Sequence, residues 1–90
     1  MLLAIDASNT HTKIGVYSGE RLQHHWRLQT EPERTADEYG VFLLGLFHAA
    51  GAAVSDITGV IVASVVPPIN RTIDELGRKF FGHEPLHVGP

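Results

Sequence analysis

The chain opens on a short apolar run, Leu2, Leu3, Ala4 and Ile5, that meets a carboxylate at Asp6 and passes into Ala7, Ser8, Asn9, Thr10, His11, Thr12 and Lys13. Burying an unpaired charge is costly, so a strand that stops on aspartate needs a chemical reason. At the carboxyl end of a parallel-type strand, aspartate reaches the sheet edge where open α/β folds bind ligands. The turn behind it offers backbone N–H groups, hydroxyls and an amide, a set suited to phosphate oxygens. A lone aspartate repels polyphosphate, so its useful role is to hold Mg²⁺, directly or through water, while Ser8, Asn9, Thr10 and Thr12 donate to phosphate. The plainer reading of the same residues is a strand end followed by an Asx or Ser/Thr turn.

Other residue sets offer less. Six histidines and no cysteine leave imidazole as the softest available metal ligand. His24 and His25, however, are adjacent in a strand and point to opposite faces, and His83 and His87 straddle Pro85, which rules out a helical pair four apart. His24 shares an alternating face with Leu22, Trp26 and Leu28, which predicts a partly buried, hydrogen-bonded imidazole and places Trp26 in the core. Asp37 and Glu38 read as first-turn charges favoured by a helix dipole. Arg21, Arg27 and Arg34 are dispersed through a hairpin and a loop, the pattern of a solvated face.

These residues must be positioned by a small domain. Ninety residues bury only about 60% of the surface that the unfolded chain exposes, so the core must be compact. Hydrophobic residues are 43% of the chain and charged residues 19%, a globular composition rather than a disordered one. The net charge of −3 gives no electrostatic reason to expect nucleic acid or a membrane surface as partner. The N-terminus has no basic region before its apolar stretch, and Asp6 interrupts that stretch too early for a signal peptide. The longest apolar run, VFLLGLFHAAGAAV, is shorter than the roughly 20 residues of a membrane span. A cytoplasmic setting is expected, in keeping with the absence of cysteine.

The apolar period changes in a set order along the chain. Leu2 to Ile5 reads as one strand, and a second follows with Ile14 and Val16 on one face and Lys13, Gly15 and Tyr17 on the other. Ser18 and Gly19 make a tight turn into a third strand, in which Leu22, His24, Trp26 and Leu28 face one way. Thr35 and Glu38 have capping-box spacing, and Tyr39, Phe42, Leu43, Leu46, Phe47 and Ala50 form a helical stripe that Gly51 can end. GVIVASVVPP is a β-branched run without alternation, which predicts a strand covered on both faces. Pro67 and Pro68 stop it and begin a second helix, with Ile69, Ile73, Leu76 and Phe80 on one face and Gly82 closing it. PLHV is a short fifth strand. The order β-β-β-α-β-α-β predicts an α/β, ribonuclease H-like (actin-like ATPase) domain, with an antiparallel meander feeding right-handed parallel crossovers in a mixed sheet. Residues 1–90 read as one domain, without repeat or linker, that breaks off with the far side of the sheet uncapped; a piece of a longer enzyme is expected.

IDASNTHTKIGVY resembles the first phosphate motif of the acetate and sugar kinase, Hsc70 and actin superfamily. Taken in order, DASNT, HWRLQT, RTADEYG, GVIVASVVPP and PLHVGP resemble the N-terminal part of the type III pantothenate kinases, over essentially the whole chain. The resemblance implies ATP-dependent phosphorylation of pantothenate to 4′-phosphopantothenate, the first step of coenzyme A synthesis, by a cytoplasmic homodimer. It implies Asp6 as the Mg²⁺-linked carboxylate, and residues 6–13 (Asp6, Ala7, Ser8, Asn9, Thr10, His11, Thr12, Lys13) in contact with ATP phosphates. A monovalent cation, K⁺ or NH₄⁺, is implied as a further cofactor. Its ligand, the general base and the second phosphate motif belong to the segment downstream of Gly89 and Pro90, so no catalytic base is expected within this chain. The second domain is likewise expected to be absent, leaving at most weak nucleotide binding. One departure concerns the turn itself, where the family pattern Asp-x-Gly-Asn-Thr is replaced by Asp6-Ala7-Ser8-Asn9-Thr10. Serine either takes an ordinary conformation there or strains the turn by about 1–3 kcal/mol. The competing class is a non-catalytic nucleotide-binding or regulatory interaction module; an intact Asp6, Asn9 and Thr10 are hard to explain in a module that never meets phosphate.

Overall fold

In the first strand (β1, Leu2–Ala7), Leu3, Ile5 and Ala7 are buried while Asp6 between them is exposed, so the two-residue period divides interior from solvent. A computed structural model describes residues 1–89. Pro90, read as part of a terminal loop, lies outside the described residues. The second strand (β2, His11–Ser18) repeats the division, with Thr12, Ile14 and Val16 buried and Lys13 exposed. A third strand (β3, Arg21–Gln29) completes an antiparallel meander. β4 (Gly59–Ser64) lies parallel to β1, and the two-residue β5 (Leu86–His87) lies parallel to β4. The sheet order is β3-β2-β1-β4-β5, and the expected sequence of elements holds.

Two helices make the crossovers. Helix α1 (Ala36–Ala50) begins in a complete capping box: the Thr35 hydroxyl accepts from the Glu38 N–H at 3.1 Å, and the Thr35 N–H donates to Glu38 Oε1 at 2.9 Å. It ends at Gly51, whose left-handed φ of 71° suits glycine. Helix α2 (Pro67–Phe81) starts on two prolines and ends at Gly82 with the same geometry. A short 3-10 turn (Val54–Asp56) precedes β4.

Both helices pack on one face of the sheet. Tyr39, Leu43 and Phe47 from α1 and Ile69, Ile73 and Leu76 from α2 meet Leu3, Ile5, Ile14, Val16, Val60 and Val62 in one apolar cluster. The helices approach closely where Gly40 lies under the Phe80 ring: a Cβ at Gly40 would enter the ring's van der Waals contact.

Several expectations are corrected. Phe42 and Ala50 are not on the buried stripe of α1; Gly40 takes that position, and Phe42 is 43% exposed beneath the Arg34 guanidinium, 4.8 Å from its ring centre. In α2 Phe81 is buried and Phe80 half-buried, because Phe80 covers Gly40 from the flank. Strand β4 is not covered on both faces: Val60 and Val62 are buried but Ile61 and Ala63 are half-buried on the face without helices. Leu22 does not share the face of His24, Trp26 and Leu28. The register slips between Val16, opposite His24, and Tyr17, opposite Leu22, so Gln23 is an extra residue that turns Leu22 to the other side.

Candidate phosphate-binding site

The face of the sheet that the helices leave open carries the charge. Asp6 on β1 stands directly opposite Lys13 on β2, and Lys13 directly opposite Arg27 on β3. Opposed residues of neighbouring strands project to the same side, so the three form one row across the sheet. All three are exposed, and β4 adds only the small Ala63 beside Asp6. The row borders an open depression of about 530 Å³ whose floor is Ala4 and Gly15 and whose far wall is Tyr17 and Leu22. Gly15 keeps that floor low: a Cβ there would stand 3.0 Å from the Tyr17 ring and 3.3 Å from Leu22.

The turn at residues 8–10 sits at the carboxyl end of β1. Ser8 closes it by donating both its N–H, at 3.0 Å, and its hydroxyl, at 2.8 Å, to the His11 carbonyl. Among the described residues no non-glycine residue has positive φ, so Ser8 takes an ordinary conformation and the strained alternative is excluded. Ser8, Asn9 and Thr10 are exposed and His11 is half-buried. Ala7 and Thr12 point to the helix-covered side. Thr12 is therefore corrected as a side-chain donor to phosphate, because its hydroxyl, 3% of the residue being exposed, is 2.8 Å from that of Thr30.

Thr30 is the residue that sequence reasoning missed. Its N–H donates to the Thr10 carbonyl at 2.9 Å and its hydroxyl to the Ser8 carbonyl at 2.6 Å, so the Thr12 hydroxyl must donate to Thr30. One buried threonine thus ties the turn to the end of β3. Thr30 extends the inward alternation of Trp26 and Leu28, which was the available signal. Beyond it, the Tyr39 hydroxyl accepts from the Glu31 N–H at 3.0 Å and donates to the Glu31 carbonyl at 2.9 Å, fastening the following loop to α1.

The amino end of α2 reaches the same sheet edge but is a poor anion site. Pro67 and Pro68 have no N–H, and the Ile69 N–H is engaged by the Val66 carbonyl at 3.0 Å, so the donors that make helix starts attractive to anions are removed. For a divalent cation, Asp6 is the carboxylate in the row, and the described residues hold no group of three or more metal-ligating side chains. A single exposed carboxylate beside an open depression fits Mg²⁺ shared with substrate oxygens and water, and does not fit an all-protein cage.

Of the histidines, His25 stands opposite Gly15 and lines the depression and His11 closes the turn, whereas His24 stacks on Trp26 at 5.7 Å, His83 Nε2 meets the Ile57 carbonyl at 2.9 Å, and His87 Nε2 meets Asp74 at 2.6 Å. The Thr35 N–H and hydroxyl hold the Glu38 carboxyl below the usual carboxylate range. Glu84 raises Arg78, and Asp37 raises Lys79, each through a hydrogen-bonded ion pair.

Two solved structures share the fold. A ROK hexokinase from Thermus thermophilus superposes with a TM-score of 0.70 at 14% identity, over 97% of this chain and 34% of that one. The T. thermophilus RuvC, solved in complex with a Holliday junction substrate, gives 0.63 at 19% identity, over 99% of this chain and 64% of its own. Both likenesses establish the α/β, ribonuclease H-like architecture and nothing finer. Sequence relatives are nearer: type III pantothenate kinases of Anaeromyxobacter sp. (strain K) and of Geobacillus kaustophilus are 47% and 44% identical over all 90 residues. The chain spans 35% of the length of these relatives. The family model described as type III pantothenate kinase matches residues 2–90, and the chain belongs to the type III pantothenate kinase family.

Proposed function

We propose that this chain supplies the ATP-phosphate-binding part of an enzyme that phosphorylates pantothenate to 4′-phosphopantothenate. The observation that carries the reading is the presentation of Asp6 and the turn at residues 8–10 together, exposed at the carboxyl end of β1, in a chain that matches the kinase family across its length. Asp6 would hold Mg²⁺ through water. Bound there, Mg²⁺ supplies charge neutralisation at the transferring phosphoryl group. The exposed Asn9 amide and Thr10 hydroxyl are available to phosphate oxygens, the Lys13 ammonium adds a positive charge, and Ser8 is corrected as a phosphate donor because its N–H and its hydroxyl are both engaged by the His11 carbonyl. The internal bonds from Thr30 hold the turn in place before ligand arrives, so little ordering cost falls on binding. The base that deprotonates the pantothenate hydroxyl and the ligand of the monovalent cation, K⁺ or NH₄⁺, would lie downstream of Pro90, in an enzyme that acts as a cytoplasmic homodimer. The net charge of −3 argues against nucleic acid as a partner, and among the described residues no helix is long and apolar enough to cross a membrane.

Mass-spectrometric detection of 4′-phosphopantothenate after incubation of the full-length protein with ATP, Mg²⁺, K⁺ and pantothenate tests this. Product is expected, and Asp6→Asn should cut kcat/KM by about a hundredfold, close to 2.7 kcal/mol. Equal turnover by Asp6→Asn, or no product from folded protein, would overturn the reading.

A further inference from the structure

We propose that Arg27 is a positioning residue of the polyphosphate site, contacting a phosphate group from β3 alongside Lys13; this rests on the function proposed above. Its sequence context marked Arg27 as one of three dispersed, solvated arginines, but the register puts it directly opposite Lys13, which is itself opposite Asp6. Opposed Cβ atoms are about 5 Å apart, so Asp6, Lys13 and Arg27 span about 10 Å, within the combined reach of the two long side chains.

Three observations favour an anionic ligand over a merely solvated surface. Like charges directly opposite on neighbouring strands repel, yet Lys13 and Arg27 are so placed on a chain with seven lysines and arginines and a negative net charge. Among the described residues none of the three row members takes part in an ion pair, although Arg78 and Lys79 both do. Both cations also border the same depression as Asp6, next to the space that Gly15 leaves free. A planar guanidinium offers two parallel N–H donors to phosphate, which the Lys13 ammonium cannot, so the two cations are not redundant.

The test compares Arg27→Gln, Arg27→Lys, Lys13→Gln, Asp6→Asn and, as control, Arg21→Gln at the hairpin tip, all in the full-length protein. Calorimetric dissociation constants for Mg·ATP and inorganic tripolyphosphate, KM for ATP and for pantothenate, and thermal midpoints are measured. Arg27→Gln should weaken both ligands about tenfold and raise KM for ATP alone, the effect of losing one charged hydrogen-bond donor. Arg27→Lys should recover part of the loss, and Arg21→Gln should stay within about twofold of the unsubstituted protein, the size of an exposed substitution. Arg27→Gln matching Arg21→Gln while Lys13→Gln and Asp6→Asn weaken binding would overturn the role of Arg27 and leave the phosphate site standing. No binding by the unsubstituted protein, or indifference of all three row variants, would overturn both. A loss in Arg27→Gln that also lowers the thermal midpoint and raises KM for pantothenate would overturn the proposal in favour of a structural role.

Discussion

Along β1 the helix-covered face presents Leu3, Ile5 and Ala7, and the open face Ala4 and Asp6; along β2 the division sets Thr12, Ile14 and Val16 against Lys13, Gly15 and Tyr17. The same backbone hydrogen bonds serve both faces, yet one is a packed core and the other a charged row over a shallow floor. A strand can do this because successive side chains project to opposite sides, so neighbours in sequence answer to different physics. Substitutions one residue apart should therefore fail in different ways.

The largest effect is expected in the core. Phe47→Ala empties the meeting point of Trp26, Leu43 and Phe81 and should cost about 3–5 kcal/mol in denaturant unfolding. Asp6→Asn should by contrast stay within about 0.5 kcal/mol of the parent in the same experiment. A large stability loss in Asp6→Asn would break the division between the faces.

Thr30→Val probes a buried residue that tethers the exposed turn. It removes the bond to the Ser8 carbonyl and strands the Thr12 hydroxyl, at an expected cost of about 1–3 kcal/mol. It should also weaken Mg·ATP binding, because the turn loses its tether; unchanged affinity would place the turn under the control of β1 and β2 alone.

Thr35→Ala removes the N-cap of α1 and should cost about 1 kcal/mol, read as a lowered denaturant midpoint with ligand affinity retained.

The smallest effect is a pH dependence. The Glu38 carboxyl is held below its ordinary range in the folded chain, so its contribution is complete above the unfolded carboxylate's titration and is lost as pH falls through the folded one. Glu38→Gln should flatten that part of the acid limb in unfolding curves recorded across pH; an unchanged limb would assign acid sensitivity to other carboxylates.

Much of the fold was legible because its signals are local. Thr35 with Glu38, Gly51, the two prolines and Gly82 each act within a turn of chain, and all took the predicted roles. The failures share a different cause. Leu22 changes sides through a bulge that alternation cannot announce, and Phe42 leaves the buried stripe because Gly40, a residue without side chain, is what the neighbouring helix needs there. The open side of β4 was invisible because β-branched residues look the same whether a second layer covers them or not. At the site, Asp6 and the turn were legible from residue type. The alignment of Arg27 with Lys13 and the tether from Thr30 were not, since both depend on cross-strand register.

The strand order has a kinetic side. β1, which carries Asp6, pairs on one edge with the hairpin partner that follows it, and on the other with β4, whose Gly59 stands beside Leu2. Closing a short loop costs little entropy and closing a long one more, so the meander that aligns Asp6, Lys13 and Arg27 is the cheap part of the sheet to assemble. β1, the centre of the sheet, gains its second neighbour from β4, which lies beyond α1 in the chain. During synthesis the chemical row is complete within the first 27 residues, while the amides of β1 remain half-paired until β4 arrives and locks them against exchange with solvent.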